Sequence, residues 1–337
     1  MIDRKPINVA LAGCGIVGSG VADLLIRDGA ALRARTGLDI QLLRVAVRDP
    51  RRSRRPHVPD ELLTGDLSSL NDPDVDIVVE VIGGTDVARR VVLDALAAGK
   101  DVVTANKALI ALHGPEIFAA ARAGGAAVAF EASCLAGMPV IGMIQRGLVA
   151  NRVDHLEGIF NGTCNYILTE MAEKERSFAD ALADAQRLGY AEADPTLDIS
   201  GADAAHKLAI LSSLAFGRWI DFSTVSVMGI EGITLDDVLA AKKAGSVCRL
   251  LAVGRLGAGG SELSVKPEML PESHPLAAVH GTHNAIHLHG HAVGTLTLEG
   301  HGAGGPQTAS GVVSDTVECA LGNARRTFRQ LPIFGSK

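Results

Sequence analysis

The stretch Ile7-Asn8-Val9-Ala10-Leu11-Ala12 runs without a break into Gly13-Cys14-Gly15-Ile16-Val17-Gly18. No other junction in the chain constrains its fold as much. The aliphatic run predicts a buried strand, and the apolar spacing of Val17, Val21, Leu24 and Leu25 predicts a helix directly after it. Each glycine has a physical task in such a turn. The first permits the sharp bend, the second lets backbone approach a pyrophosphate, and the third lets helix and strand pack closely. The helix amino terminus adds unpaired N–H groups and a positive dipole end, which suit phosphate oxygens. Gly13, Gly15, Ile16, Val17 and Gly18 are therefore candidate dinucleotide contacts.

The same alternation continues. A second strand, Ile40 to Val47, ends in Arg48, Asp49 and a basic run through Arg51, Arg52, Arg54 and Arg55. A carboxylate at this strand end would accept the ribose hydroxyls of NAD, whereas a basic residue suits the 2′-phosphate of NADP. Arg48 is the best phosphate candidate, with Arg51 and Arg52 as helpers, and Asp49 leaves NAD open. Val75 to Val81 reads as a buried strand followed by Ile82-Gly83-Gly84. Thr85 or Asp86 then caps a helix that stops at Gly99. Asp101 to Val103 is the next strand and leads into Thr104-Ala105-Asn106-Lys107. A helix from about Pro115 to Ala123 precedes a last strand, Ala126 to Ala132. Strands and helices in this order predict an α/β fold with a doubly wound, Rossmann-type parallel sheet. Ligands of such sheets bind at the carboxyl ends of strands, where Gly83, Gly84, Thr104, Ala105 and Lys107 fall.

The pattern changes after residue 134, so residues 1–134 read as the dinucleotide-binding domain and 135–305 as a second, α+β domain. Strands are expected at His155 to Phe160, Val247 to Arg255, Glu262 to Pro267 and Thr295 to Glu299. Helices are expected at Val140 to Leu148, Asn165 to Lys174 and Phe178 to Leu188. The most informative segment follows, from Gly189 to Lys207. Pro195 is expected to keep Glu192, Asp194 and Asp198 in a loop, and Ser200 to cap a helix running to Ala215. Asp203 and Lys207 are one helical turn apart and share a face. The bland account of that pair is a surface ion pair. Against it, Leu208, Ala209, Ile210, Leu211 and Leu214 indicate a mostly buried helix. A carboxylate and an ammonium held together there could bind a polar substrate and move its hydroxyl proton.

Several segments together, IFNGTCNYIL, GYAEADPTLDISGADAAHK, MGIEGITLDDVLAAKKAG, TANKALIA and GAGGPQTASGVV, resemble homoserine dehydrogenase in order and across nearly the whole chain. The resemblance implies NAD(P)-dependent interconversion of L-homoserine and L-aspartate 4-semialdehyde, in the aspartate-derived route to threonine, methionine and isoleucine. It makes Lys207 the catalytic lysine, Asp203 its partner, and Lys107 a lysine reaching both substrate and cofactor. Glu192 and Asp198 match carboxylates that hold the substrate, Glu192 also lying beside the nicotinamide. Gly305 matches a glycine of a closing loop that contacts the nicotinamide, and backbone N–H groups near Gly162 and Thr163 are the candidates for the substrate carboxylate. Glu131, Cys134, Ala136 and Met138 would form a sodium or other monovalent-cation site, largely from backbone oxygens, since hard donors suit a hard cation. Here Cys134-Leu135-Ala136 stands where a glycine-rich turn is more usual. The resemblance also implies a homodimer and a helix, 306–337, that completes the nucleotide-binding domain. Longer members carry a C-terminal amino-acid-sensing domain; this chain is expected to end before one could start.

Other readings are weaker. A net charge of −6, from 32 Lys and Arg against 38 Asp and Glu, gives no support to a nucleic-acid partner. The Arg48 to Arg55 run is short and lacks interleaved aromatics. No apolar stretch is long enough to span a membrane, and the first residues lack a signal-peptide layout. Five dispersed cysteines without a CxxC pair suggest reduced thiols and a cytoplasmic protein. His283, His287, His289 and His291 lie at alternate positions but lack nearby cysteine or carboxylate ligands, which favours structural or solvent-facing roles. The remaining rivals are another two-lobed dehydrogenase, acting on a sugar or a different semialdehyde, and a catalytically silent dinucleotide sensor. Lys107, Lys207, Asp203 and Glu192 argue against the sensor.

Overall fold

The computed structural model describes residues 5–52 and 58–334, so Ser53, Arg54 and Arg55 of the basic run lie outside the described residues. The chain divides into two compact units, Met1–Pro139 with Ala303–Lys337, and Val140–Gly302. The first unit begins with β1 (Ile7–Ala12), α1 (Ile16–Arg27), α2 (Gly29–Thr36), β2 (Ile40–Ala46), β3 (Leu63–Thr64), β4 (Ile77–Glu80), α3 (Asp86–Ala97), β5 (Asp101–Thr104), α4 (Lys107–Gly124) and β6 (Val128–Ala129). The second contains α5 (Val140–Gly142), β7 (Val153–Ile159), α6 (Gly162–Lys174), α7 (Phe178–Arg187), α8 (Thr196–Ile199), α9 (Ala202–Phe216), β8 (Ser226–Val227), α10 (Leu235–Lys243), β9 (Ser246–Gly257), β10 (Gly260–Pro271), β11 (His283–Gly290) and β12 (Gly294–His301). α11 (Gly305–Ala320) and α12 (Asn323–Gln330) then belong to the first unit again.

In the first unit the strands among the described residues pair in the order β3-β2-β1-β4-β5-β6, all parallel. This is the strand order of the doubly wound dinucleotide fold, in which the order of strand addition reverses between β1 and β4. Successive side chains of a strand face opposite ways. Val9, Leu11, Ile77 and Val79 accordingly join Val21, Leu25, Ala309 and Val312 of α1 and α11 in one apolar cluster. The alternate residues Ala10, Val78 and Val102 are equally buried on the other face, where α3 packs on β4 and β5. Burial on both faces explains why these strands read as aliphatic runs.

Two elements differ from expectation. α4 starts at Lys107, with the Asn106 side chain accepting from the Leu109 N–H at 3.1 Å, and Pro115 lies inside it. Proline inside a helix removes a hydrogen bond and costs about 3 kcal/mol. Burial of Leu109, Ile110, Ile117 and Phe118 offsets that cost. β6 covers only Val128–Ala129, and a 3-10 turn, Glu131–Ser133, takes the rest of the expected strand. In the second unit the sheet order is β12-β11-β7-β9-β10-β8, antiparallel except for the β10–β8 pair. The helix expected over Val140 to Leu148 is a short α-helix that widens into a π-helix at Met143–Gly147.

Candidate active site

At the carboxyl ends of the first unit's strands lies a cleft of about 1020 Å3, lined by Gly13, Gly15, Ile16, Arg48, Arg52 and Gly305 among others. The glycine loop explains its floor. Gly13 has φ +98°, and a methyl there would come 2.7 Å from the Val81 carbonyl oxygen. At Gly18 a methyl would strike the Gly13 carbonyl, so this glycine serves helix–loop packing. Gly15 faces open space, and Ile16 is 82% exposed. The first turn of α1 holds no acidic residue, which keeps its positive end available to an anion. Arg48 is exposed on the rim. The neighbouring Asp49 also lines the cleft, and its carboxylate accepts from the Arg51 N–H at 2.9 Å.

Val17, Gly18, Gly83, Gly84, Thr104, Ala105 and Lys107 are not among that lining. Thr104 is fully buried, and its hydroxyl donates to Glu80 Oε2 at 2.7 Å. Glu80, which the sequence did not single out, ties the two strand-end loops together. Its Oε1 accepts from the Ile82 N–H at 2.8 Å and the Gly83 N–H at 3.4 Å. Asn106 Nδ2 donates to the Gly84 carbonyl at 2.7 Å. Burial raises the Glu80 carboxyl above the usual range, and these hydrogen bonds oppose the shift. The network fixes Gly83, Gly84 and the start of α4, where Lys107 is the first helical residue. No acid lies in that first turn.

The second unit holds a buried polar cluster around α9. Asp203 and Lys207 occupy successive turns of α9, with Nζ 2.7 Å from Asp203 Oδ2 and the side chains 9% and 8% exposed. Lys207 Nζ also donates to the Phe160 carbonyl, at the end of β7, at 2.6 Å. Asn161 Nδ2 donates to Asp198 Oδ1 at 2.8 Å and to Asp203 Oδ2 at 2.9 Å. Thr163 Oγ1 donates to the Tyr190 carbonyl at 2.7 Å and lies 3.2 Å from Asp198 Oδ2. Burial, and then the charge of Asp203, raises the Asp198 carboxyl above the usual carboxylate range. The Cys164 thiol is pushed well up by its burial and stays neutral.

The local conformations correct two expectations. Asp198 is in the helical turn α8, which Pro195 opens rather than prevents. α9 is capped by Gly201 in the left-handed region (φ +83°), not by Ser200. Glu192 is exposed; its carbonyl accepts from Gln186 Nε2 at 3.2 Å, and its carboxylate makes none of the bonds that tie the cluster. Asp194 Oδ1 accepts from the Thr196 N–H at 3.1 Å and from its hydroxyl at 2.6 Å, just ahead of α8. Gly162 and Thr163 supply the first two amides of α6, while Asn161 takes the third, from Cys164, at 2.8 Å. Asn161 itself was missed by sequence reasoning. A polar residue directly after the buried strand LEGIF and before a helix was the available signal.

Glu131, Cys134, Ala136 and Met138 are all buried in the first unit, beside Leu135 and Ala136 in the left-handed region (φ +55° and +56°). The Glu131 N–H donates to Asp315 at 2.7 Å. Among the described residues no group of His, Cys, Asp and Glu side chains is arranged to hold a metal ion. His283, His287 and His289 instead face Glu299, Thr297 and Thr295 of the neighbouring strand, at 2.8, 2.7 and 3.2 Å.

A parallel sheet with a glycine-floored cleft, and a buried lysine–carboxylate pair in the second unit, are the parts of a dinucleotide-dependent oxidoreductase acting on a CH–OH group. Comparison with known proteins narrows the class. Residues 13–131 match the family model described as homoserine dehydrogenase, NAD binding domain, and residues 139–317 the model described as homoserine dehydrogenase. The homoserine dehydrogenase of Pseudomonas aeruginosa is 46% identical over 315 residues, which are 93% of this chain and 72% of that one. The crystal structure of a homoserine dehydrogenase from Thiobacillus denitrificans gives a TM-score of 0.90 at 44% identity, over 97% of this chain and 76% of that one. A hyperthermophilic archaeal homoserine dehydrogenase in complex with NADPH gives 0.77 at 25% identity, over 94% and 98%. The chain belongs to the homoserine dehydrogenase family. Its reaction is the interconversion of L-homoserine and L-aspartate 4-semialdehyde with a nicotinamide dinucleotide.

Proposed function

We propose that Lys207 and Asp203 form the proton-transferring pair of this reaction, that Lys107 assists at the reacting oxygen, and that NADP is the preferred dinucleotide. The observation that carries the reading is the buried Lys207 ammonium, 2.7 Å from Asp203 and 2.6 Å from the Phe160 carbonyl. Desolvating two charges costs several kcal/mol per ion, and such costs concentrate where chemistry needs them. An ammonium has three N–H donors. Two are held by Asp203 and Phe160, and the third is left for a substrate oxygen. When bound, the nicotinamide supplies the hydride in the reductive direction and takes it in the oxidative one. Lys207 gives its proton to the oxygen of the aldehyde as that carbonyl becomes a hydroxyl, and Lys107 places further positive charge beside it.

Asp198 and Glu192 receive the substrate ammonium, and the Gly162 and Thr163 amides its carboxylate. Around the dinucleotide, Gly13, Gly15, Ile16, Val17, Gly18, Gly83, Gly84, Thr104, Ala105, Lys107, Glu192 and Gly305 are the proposed contacts, and Arg48 takes the 2′-phosphate of NADP. The NADPH complex of the archaeal relative favours that choice. Glu131 with the carbonyls of Cys134, Ala136 and Met138 is the proposed site of a monovalent cation. The donors are hard oxygens, and the left-handed Leu135–Ala136 turn bends the loop tightly. A homodimer in the cytoplasm completes the proposal. The test of cofactor choice is a paired titration of homoserine oxidation with NADP and NAD. Arg48→Ala should raise KM for NADP about tenfold and leave NAD nearly unchanged. An unchanged preference would remove Arg48 from phosphate recognition.

A further inference from the structure

Two carboxylates of the second unit meet at one neutral donor. Asp198 comes from α8 and Asp203 from α9, and the Asn161 carboxamide nitrogen lies 2.8 and 2.9 Å from an oxygen of each. The same side chain uses its oxygen to accept from the Cys164 N–H at 2.8 Å, capping α6. Asn161 is 4% exposed. Its two amide hydrogens and its acceptor are thus committed to three different elements.

The electrostatics show what that commitment does. Asp203 is one of the causes that raise the Asp198 carboxyl, and the Asn161 hydrogen bond is one that lowers it. The charged and titratable groups around the carboxamide are Asp198 on α8, Asp203 and Lys207 on α9, Cys164 on α6 and Glu231 after β8. Lys207 is the cation of this set. A single lysine cannot neutralise both aspartates, and the carboxamide supplies the missing donors without adding charge. Asp203 Oδ2 is also the oxygen that binds Lys207 Nζ. Any swing of Asp203 away from Asp198 would therefore move the ammonium.

We infer that Asn161 is a positioning residue of the reaction, whose carboxamide NH2 clamps Asp198 and Asp203 side by side and so holds Asp203 on Lys207. This rests on the assignment of Lys207 and Asp203 as the proton-transferring pair. The role is separable from capping, because aspartate caps a helix as well as asparagine does and glycine costs only a few tenths of a kcal/mol. Asn161→Gly removes the donors and adds no charge. Asn161→Asp keeps the cap, removes the donors and adds a third carboxylate.

The experiment measures, for both variants, thermal unfolding and the pH dependence of kcat and KM with homoserine, with Lys207→Ala as reference. Asn161→Gly should stay folded but unfold below the parent, because two buried carboxylates lose a donor, and Asn161→Asp should unfold lower still, because a third carboxylate joins them. Asn161→Gly should lose kcat about ten- to a hundredfold. The acid limb of its profile should move to higher pH, because a carboxylate stripped of its donor protonates earlier. Asn161→Asp should move that limb further. Parental kcat and an unmoved profile in a folded Asn161→Gly overturn the inference while Lys207→Ala stays inactive. If Lys207→Ala also turns over normally, the underlying assignment fails instead. Should Asn161→Gly unfold, the profile of Asn161→Asp decides, and a parental profile there overturns the inference.

Discussion

Burial and the neighbouring Asp203 hold the Asp198 carboxyl above the usual range, so its ionised form opposes folding. A group whose folded pKa is raised contributes stability below its unfolded pKa and loses it as pH rises through the folded one. At neutral pH the charged Asp198 is therefore a net cost. Asp198→Asn should stabilise the fold at pH 7 by on the order of 1 kcal/mol. Paired denaturant titrations should show that gain shrinking as pH falls through the folded pKa. Homoserine turnover should drop in the same variant, since a ligand of the substrate ammonium is gone. A loss of stability at pH 7 would contradict the electrostatic account of this residue. Asp203 and Lys207 were legible in the sequence because one helical turn separates them on a buried face. Asn161 and Glu80 were not, because their roles depend on partners in distant elements: Asp198 and Asp203 for one, Thr104 for the other.

At the scale of elements, the glycine loop shows how closely β1 and α1 must approach. A methyl at Gly18 would overlap the Gly13 carbonyl, which is backbone and cannot swing aside. Gly18→Ala should cost about 1–3 kcal/mol of stability, read by chemical denaturation, and weaken dinucleotide binding through the displaced loop. A variant of parental stability and affinity would show that the loop has slack. Strand–glycine–helix order announced this unit because hydrophobic period and turn chemistry agree there. α4 was misread for the opposite reason. Proline is favoured at a helix start, so Pro115 reads as one, although Asn106 caps the helix earlier. The aliphatic run ending the first β-α series predicts one long strand; only Val128–Ala129 pair with β5, and the chain then turns as a 3-10 helix.

For the whole molecule, alternation of short aliphatic strands with helices was sufficient to specify a parallel sheet, and the observed order places β1 and β4 at its centre. The second unit was less legible, since its antiparallel strands are joined in an order that local patterns do not encode. Function follows the same division. The glycine-floored cleft belongs to a dinucleotide enzyme of many possible substrates, and the run from Glu192 to Lys207 is what resembles one reaction. The direct measurement is steady-state oxidation of homoserine by Lys207→Ala, with thermal unfolding and dinucleotide affinity recorded on the same sample. Turnover should fall by about two to four orders of magnitude, with folding and dinucleotide affinity near parental values. Turnover within a few-fold of the parent, in a folded variant that still binds the dinucleotide, would contradict the assignment of Lys207 as the proton donor.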